Sequence, residues 1–100
     1  MKAIKPSACS LCERNLELHF HHLVPKKMQD KRKIQSMHDG LELIHYGTWV
    51  CADCHKTIHR KISHYDLATH YYTVEKLLEH PEISKFVSWA AKQRKKIKRN

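Results

Sequence analysis

Four cysteines form two Cys-x-x-Cys pairs, Cys9/Cys12 and Cys51/Cys54, whose thiolates could bind a metal ion. Two residues between ligands allow a tight turn to aim both thiolates at one ion, and two such turns complete a tetrahedral zinc site. A single pair could instead be a redox dithiol, but two pairs in one short chain favour zinc. A site with four protein ligands has no open position for a substrate, so its predicted role is structural.

A second set of metal-binding residues consists of histidines, of which the chain has 10. His55 and His59 are four residues apart, so on a helix they share one face and can bind one ion. His21 and His22 are adjacent, and neighbouring residues of a strand point to opposite faces. We therefore expect one of these two to complete the metal site and the other to accept a proton. Each pair alone could be a surface feature of a His-rich chain, but their position beside both cysteine pairs favours a functional site.

The elements that must position these residues begin with a predicted hairpin. Residues 16–20 alternate between apolar and polar side chains, which is typical of a strand with one apolar face. Pro25 ends this strand, and residues 26–40 are expected to form a polar, basic loop that closes at its C-terminal Asp-Gly pair. A returning strand is predicted over residues 41–50, with a kink at Gly47.

Helices follow the second cysteine pair. The first is expected over residues 53–62, the second over 64–71 after an N-cap at Ser63, and the third over 74–79 after an N-cap at Thr73. The last begins at Pro81, and its stripe at i, i+3, i+4 and i+7 packs inward; this stripe comprises Ile83, Phe86, Val87 and Ala90. The sequence thus predicts a small zinc-stabilised α+β protein.

The length of 100 residues is sufficient for one domain, expected over residues 1–100. We divide it into a core over about 9–62, a helical extension over about 63–91 and a basic tail over 92–100. No apolar run is long enough to cross a membrane, and the start of the chain lacks the apolar centre of a signal peptide. A soluble cytoplasmic protein with no membrane partner is therefore expected, as a monomer or weak dimer.

The net charge of +9 is concentrated in two segments, residues 26–33 and the tail over 92–100. Local cationic patches on a soluble protein indicate a polyanionic partner, most often nucleic acid and sometimes an anionic membrane face. The alternative is a solvated helix end and a solubilising loop.

The order of these motifs resembles the HNH endonucleases. The resemblance rests on Cys9-x-x-Cys12, then His21-His22-Leu-Val-Pro-Lys, then Cys51-x-x-Cys54-His55-Lys-x-x-His59, and it extends through the His80-Pro-Glu-Ile segment to about residue 91, as in short stand-alone bacterial members. The resemblance implies a ββα-metal core that binds one catalytic divalent ion, followed by a helical C-terminal extension.

The resemblance also implies the role of each histidine. His21 falls on the position of a metal ligand and His22 on that of the general base, while His55 and His59 fall on the ligands carried by the helix. The middle Asn of the family, which holds the loop of the base, is replaced by Tyr46. Tyr46 itself, His45 or a backbone group could substitute for it.

The implied activity is metal-assisted hydrolysis of DNA phosphodiester bonds with weak sequence preference. Double-stranded DNA is the expected partner, zinc the structural cofactor, and Mn²⁺, Ni²⁺, Co²⁺, Zn²⁺ or Mg²⁺ the catalytic ion, since imidazole ligands accept the first four more readily than Mg²⁺. Candidate phosphate contacts flank the histidines: Lys26, Lys27, Lys56, Arg60 and Lys61.

Two non-catalytic alternatives remain at this point. The first is a zinc-ribbon module that binds nucleic acid, or a nuclease whose site has decayed, and the replacement at Tyr46 favours it. The second is a zinc scaffold that binds a protein, which leaves the basic tail unexplained. The intact His-His and His-x-x-x-His motifs favour the enzyme over both.

Overall fold

An antiparallel hairpin with a helix directly behind it positions most of the candidate residues. The computed structural model describes residues 6–93, and within that range a two-stranded sheet and five α-helices confirm the α+β class. The elements in chain order are β1 (Leu18–His22), α1 (Arg32–Met37), β2 (Gly47–Cys51), α2 (Ala52–Lys61), α3 (His64–Thr69), α4 (Val74–Glu79) and α5 (Pro81–Ala91). The predicted basic tail lies outside the described residues from position 94 onward. No helix within 6–93 is long and apolar enough to cross a membrane.

The hairpin register places the cysteine and histidine motifs at opposite ends of the sheet. Leu18 is opposite Cys51, and His22 is opposite Gly47. A Cβ atom at Gly47 would collide with the carbonyl oxygen of His21 and the ring of Phe20, so the close approach of the strands here requires glycine. Because α2 begins at the residue after β2, its first turn lies beside Cys51 and its later turns run along β1.

One apolar core joins the hairpin, α2 and the C-terminal helices. Its fully buried members come from every one of these elements, namely Val50, Ile58, Leu67, Leu77 and Ile83. The stripe predicted on α5 packs into this core, with Ile83 and Ala90 buried and Phe86 and Val87 half-buried. The helical extension therefore shares a core with the hairpin.

The segment predicted as a loop over 26–40 is not a loop throughout, and that prediction was wrong. It contains a turn of 3-10 helix at Lys26–Met28 and the helix α1. No side chain caps the N-terminus of α1, and its one buried residue, Ile34, packs against Val24 and Ala68. Packing against α3, rather than local propensity, stabilises this helix. The expected turn is present at Gly40, whose φ of 90° suits glycine.

The strand predicted over 41–50 is half as long as expected. Residues Leu43–His45 form a turn of 3-10 helix, and only Gly47–Cys51 pairs with β1. β1 ends at His22, so the residues before Gly47 have no strand beside them. Of the apolar side chains before Gly47 that suggested a strand, Leu41 is 46% and Ile44 53% exposed, while Leu43 packs on the small core cluster that contains Ile34.

The helices after the second cysteine pair agree with the sequence prediction. α2 and α4 end within a residue of the predicted limits, and α3 ends two residues early. The Ser63 hydroxyl accepts a hydrogen bond from the Asp66 amide at 3.1 Å, and the Thr73 hydroxyl accepts one from the Lys76 amide at 3.0 Å. Local capping chemistry therefore sets these helix starts.

Candidate metal centre and histidine cleft

The four cysteines converge on one buried point. Each is free and about 1% exposed, and their four sulfur atoms lie within 4.8 Å of one another. The Sγ atoms of Cys12 and Cys51 are 3.7 Å apart, close to the roughly 3.8 Å edge of a tetrahedron with Zn–S bonds of about 2.3 Å. The cluster therefore fits a structural zinc ion.

Local backbone geometry aims the first cysteine pair. Glu13 has a φ of 65°, and this left-handed residue closes a turn in which its amide donates to the carbonyl of Cys9 at 3.0 Å. The Leu11 amide points at the Cys9 sulfur, 3.4 Å away. The amide of Ser10 donates to the Trp49 carbonyl at 2.9 Å, which attaches the turn to β2. The second pair needs no separate turn, because Cys51 ends β2 and Cys54 lies in the first turn of α2.

A buried arginine contacts the sulfur cluster. Arg14 is 1% exposed, and its Nε donates to Cys12 Sγ at 3.1 Å. One terminal nitrogen lies 3.4 Å from Cys51 Sγ and 3.3 Å from an Asp53 carboxylate oxygen. Burial acts to lower the pKa of Arg14, but its hydrogen bond to Cys12 and the negative charges of Cys12 and Cys51 outweigh that effect and raise it. Such a cation would offset the excess negative charge of a zinc ion with four thiolates.

Three histidines form a second cluster. His21 on β1 faces His55 and His59 on α2, and one ring nitrogen from each lies within 4.8 Å of the others. The ring centroids of His21 are 5.3 Å from those of both helix residues. Burial, aided by the neighbouring histidines, lowers the pKa of His21 to about 3 and that of His55 to about 4. The pKa of His59 is lowered by burial and by His64. Neutral imidazoles with available lone pairs are the form that binds metal ions.

His21 carries the clearest sign that this cluster takes a ligand. Its side chain is fully buried, and neither ring nitrogen has a hydrogen-bond partner among residues 6–93. A buried polar atom without a partner costs about 1–3 kcal/mol. A divalent ion held by the three imidazoles would satisfy one of these two nitrogens, so the donor set fits such an ion.

His22 points away from this cluster, into an open cleft of about 220 Å³. Its ring stands edge-on to that of Phe20, with centroids 5.1 Å apart, on the other face of β1 from His21. The helix residues His55 and His59 line both the cluster and the cleft. One side of α2 thus connects the buried His21 with the solvent-accessible His22.

The candidate phosphate contacts separate into three positions. Lys26 and Lys27 line the cleft with His22. Lys56 and Arg60 lie on the other side of the α2 histidines, in a depression shared with His19. Lys61 is not brought to the histidines; it forms an ion pair with Glu82 of α5 at 3.8 Å.

Tyr46 holds the end of β1 through its backbone. Its carbonyl accepts a hydrogen bond from the amide of Leu23, the residue after His22, at 3.1 Å. Its hydroxyl donates to the carbonyl of Tyr72 at 2.6 Å, which connects this loop to the segment between α3 and α4. His45 is engaged elsewhere, 3.1 Å from a Glu42 carboxylate oxygen. Of the three groups considered from the sequence, the backbone of Tyr46 makes the contact nearest His22.

Comparison with known proteins finds a relative in Bacillus subtilis (strain 168), the uncharacterized protein YisB. The two are 31% identical over 86 residues, which cover 85% of this chain and 74% of YisB. The chain belongs to the YisB family. No family model matches the chain, and no solved structure matches it. The name YisB states no activity, so the function of this YisB-family chain rests on the geometry of its site.

Three residues at these sites were not among those predicted from the sequence. His64, the first residue of α3, has its ring 5.6 Å from that of His59 and lines the cleft. His19 shares the α2-facing side of β1 with His21, 5.6 Å from the His55 ring. Arg14 contacts the sulfur cluster. The period-2 spacing of His19 and His21 was an available signal, whereas nothing local indicates that Arg14 is buried or that His64 lies beside His59.

Proposed function

We propose that the protein is a metal-dependent HNH endonuclease that hydrolyses DNA phosphodiester bonds. The observation that carries the proposal is His21, fully buried and without a hydrogen-bond partner among the described residues, facing the His55/His59 pair beside a cationic cleft. The order of elements, a hairpin followed directly by a helix that bears two of the three histidines, is the ββα arrangement that such a site requires.

In this proposal, separate residues bind the metal ion, accept the proton and contact the phosphate. His21, His55 and His59 hold a divalent ion, which when bound supplies Lewis-acid polarisation of the phosphate and stabilises charge on the leaving oxygen. His22, in the cleft and on the other face of β1, takes the proton from the attacking water. Lys26 and Lys27 contact the phosphate backbone from the cleft wall.

The position of the base depends on backbone contacts in this proposal. The Leu23 amide donates to the Tyr46 carbonyl, so the strand end that carries His22 cannot move without breaking that bond. Tyr46 thus does through its main chain what the family Asn does through its side chain. The Tyr46 hydroxyl extends the support to the helical extension.

A plasmid-nicking assay with added Mn²⁺ or Ni²⁺ tests the proposal. We expect His22→Ala to bind the ion and DNA but to cleave about 10²–10⁴-fold more slowly, as for a lost general base. His21→Ala and His59→Ala should lose cleavage together with ion affinity, and more metal should restore part of it. His70→Ala is a matched control, since His70 is an exposed histidine that lines neither the cleft nor the depression beside His19.

Calorimetric titration of the ion into each variant separates the two roles. If His22→Ala loses the ion while His21→Ala keeps it and still turns over, the roles are reversed. If His22→Ala and His21→Ala both cleave like the unaltered protein, the nuclease proposal is wrong. DNA binding without any metal-dependent cleavage would instead indicate the non-catalytic zinc module.

A further inference from the structure

A groove between α2 and α5 carries an exposed aromatic surface that the proposed chemistry does not use. Trp89 is 56% exposed, and its ring packs at an angle of 43° on Phe86, with centroids 5.7 Å apart. These two rings and Thr57 line a depression of about 310 Å³, which we call the Trp89 groove. An indole this exposed on a helix contributes little to the core, so its surface is available to a ligand with a flat apolar face.

The groove is positively charged. Its cations are Lys56, Arg60, Lys61 and Lys85. Two acidic residues also line the groove, and both are ion-paired. Asp53 pairs with Arg14 at 3.3 Å, and Glu82 pairs with Lys61 at 3.8 Å. Lys56, Arg60 and Lys85 form no ion pair with any residue in 6–93, so their charges remain available to an anionic ligand.

This groove is continuous with the histidine site. Lys56 and Arg60 line the depression that contains His55 and His59, and they also line the groove beside Trp89. The two residues are one helical turn apart on α2, so they form a cationic ridge between the two surfaces. A strand whose phosphate reaches the histidines could continue across this ridge to Trp89.

Charge excludes two other occupants of the groove. Five of the seven residues after Gln93 are Lys or Arg, so the chain's own C-terminus would be repelled by the same cations. A second copy of the chain would bring an equally cationic face to it. A polyanion with flat apolar groups fits both the charge and the indole, and nucleic acid has both features. The bases of an intact duplex are stacked on one another and cannot reach Trp89, so the segment in the groove must be unpaired.

We propose that the Trp89 groove binds an unpaired stretch of nucleic-acid strand, with a base stacked on Trp89 and phosphates on Lys56 and Arg60. This inference rests on the proposed nuclease function and adds to it a substrate class: duplexes that carry a single-stranded overhang or flap.

Fluorescence anisotropy with labelled oligonucleotides tests the groove without any cleavage. The zinc-containing full chain, with no other divalent ion added, is titrated into a blunt duplex, the same duplex with a single-stranded overhang, and one whose overhang is abasic. The unaltered protein should prefer the normal overhang. Trp89→Ala should weaken that complex by about 5- to 150-fold, as for one lost base–aromatic stack, and leave the blunt and abasic complexes unchanged.

Two further variants serve as controls for the loss of the ring and for its position. Trp89→Phe should retain most of the overhang affinity because a stacking ring remains. Tyr65→Ala, which removes a ring of similar exposure on α3, should change nothing. Equal loss of affinity for all three oligonucleotides in Trp89→Ala would overturn the proposal, as would an absent preference for the overhang. A dimer in sedimentation that Trp89→Ala converts to monomer would show that a second copy occupies the groove.

Failure of this proposal and failure of the nuclease proposal give different results. Plasmid nicking by a protein whose Trp89→Ala variant binds overhangs normally refutes only the groove. Trp89-dependent binding of overhangs by a protein that never cleaves refutes only the nuclease.

Discussion

Replacing His21 by leucine should stabilise the protein when no divalent ion is added, and most or all of that advantage should be lost when the ion is present. Without added ion, the unaltered protein contains two buried ring nitrogens that lack a hydrogen-bond partner among residues 6–93. Leucine is apolar and similar in volume, so it removes that cost. We expect His21→Leu to be more stable by about 1–3 kcal/mol under this condition.

With ion at about 100 times its dissociation constant, binding should stabilise the unaltered protein by about 2.7 kcal/mol. His21→Leu keeps only the two ligands on α2 and should gain far less. The difference in unfolding free energy between the two proteins should therefore move by about 2.7 kcal/mol in favour of the unaltered protein. In a chain of this size that corresponds to a shift in Tm of roughly 10–20 °C.

Urea unfolding followed by circular dichroism, with and without Mn²⁺, measures both terms. Mn²⁺ is suitable because it prefers ligands harder than thiolate and binds most weakly in the first-row series, so it should leave zinc in the thiolate cluster. His38→Leu is the matched control: His38 is also buried, but its Nε2 lies 2.7 Å from the Ala68 carbonyl oxygen. Losing that bond should destabilise the protein by about 1–3 kcal/mol whether or not Mn²⁺ is present.

Either of two results would refute the role of His21 as a buried metal ligand without other partners. The first is a His21→Leu protein that is less stable than the unaltered one without ion, since the buried nitrogens would then have partners. The second is an unfolding curve of the unaltered protein that Mn²⁺, Ni²⁺ and Co²⁺ all leave unchanged, since the cluster would then hold no divalent ion.

Three further predictions concern the zinc, the Tyr46 contact and the tail. Cys12→Ser should release one zinc per chain and unfold the protein, measured by a colorimetric zinc assay and circular dichroism; full zinc content with an unchanged Tm would contradict the structural assignment. Tyr46→Phe should lose the bond to the Tyr72 carbonyl and about 1–2 kcal/mol of stability in urea unfolding but keep ion affinity, since the Leu23 contact is made by the backbone; loss of Mn²⁺ binding in calorimetry would contradict this. Deleting residues 92–100 should flatten the log–log salt dependence of DNA affinity by several units, at about 0.9 per phosphate contact, and an unchanged slope would mean that the tail makes no phosphate contacts.

Short-range chemistry in the sequence was enough to predict the cysteine cluster and most of the helices. Two residues between thiol ligands permit a single tight turn, so the spacing of Cys9 and Cys12 already implies a shared ion. Hydroxyl caps act within three residues, which is why Ser63 and Thr73 located the starts of α3 and α4. The i, i+4 spacing of His55 and His59 likewise required only that the segment be helical.

The segment between the strands could not be predicted in this way, because distant residues determine its structure. α1 has no side-chain cap and depends on Ile34 reaching Val24 and Ala68, which lies 34 residues further along the chain. The apolar residues before Gly47 have the composition of a strand but no strand beside them, because β1 ends at His22. Propensity alone does not show where a partner strand stops.

In the candidate site, too, some features follow from local sequence and others from tertiary packing. Spacing pointed to His55 and His59 as ligands and to one of His21 and His22 as the third, and the resemblance to HNH endonucleases implied His21. Only the packing of α2 against β1 buries His21 and leaves its nitrogens without partners in the described chain. Arg14 shows the same dependence: it becomes a contact of the sulfur cluster because folding brings Cys51 and Asp53 to it across nearly forty residues. Ligand spacing is a local property of the chain, whereas burial and desolvation depend on every element packed around an atom, and therefore on the tertiary structure.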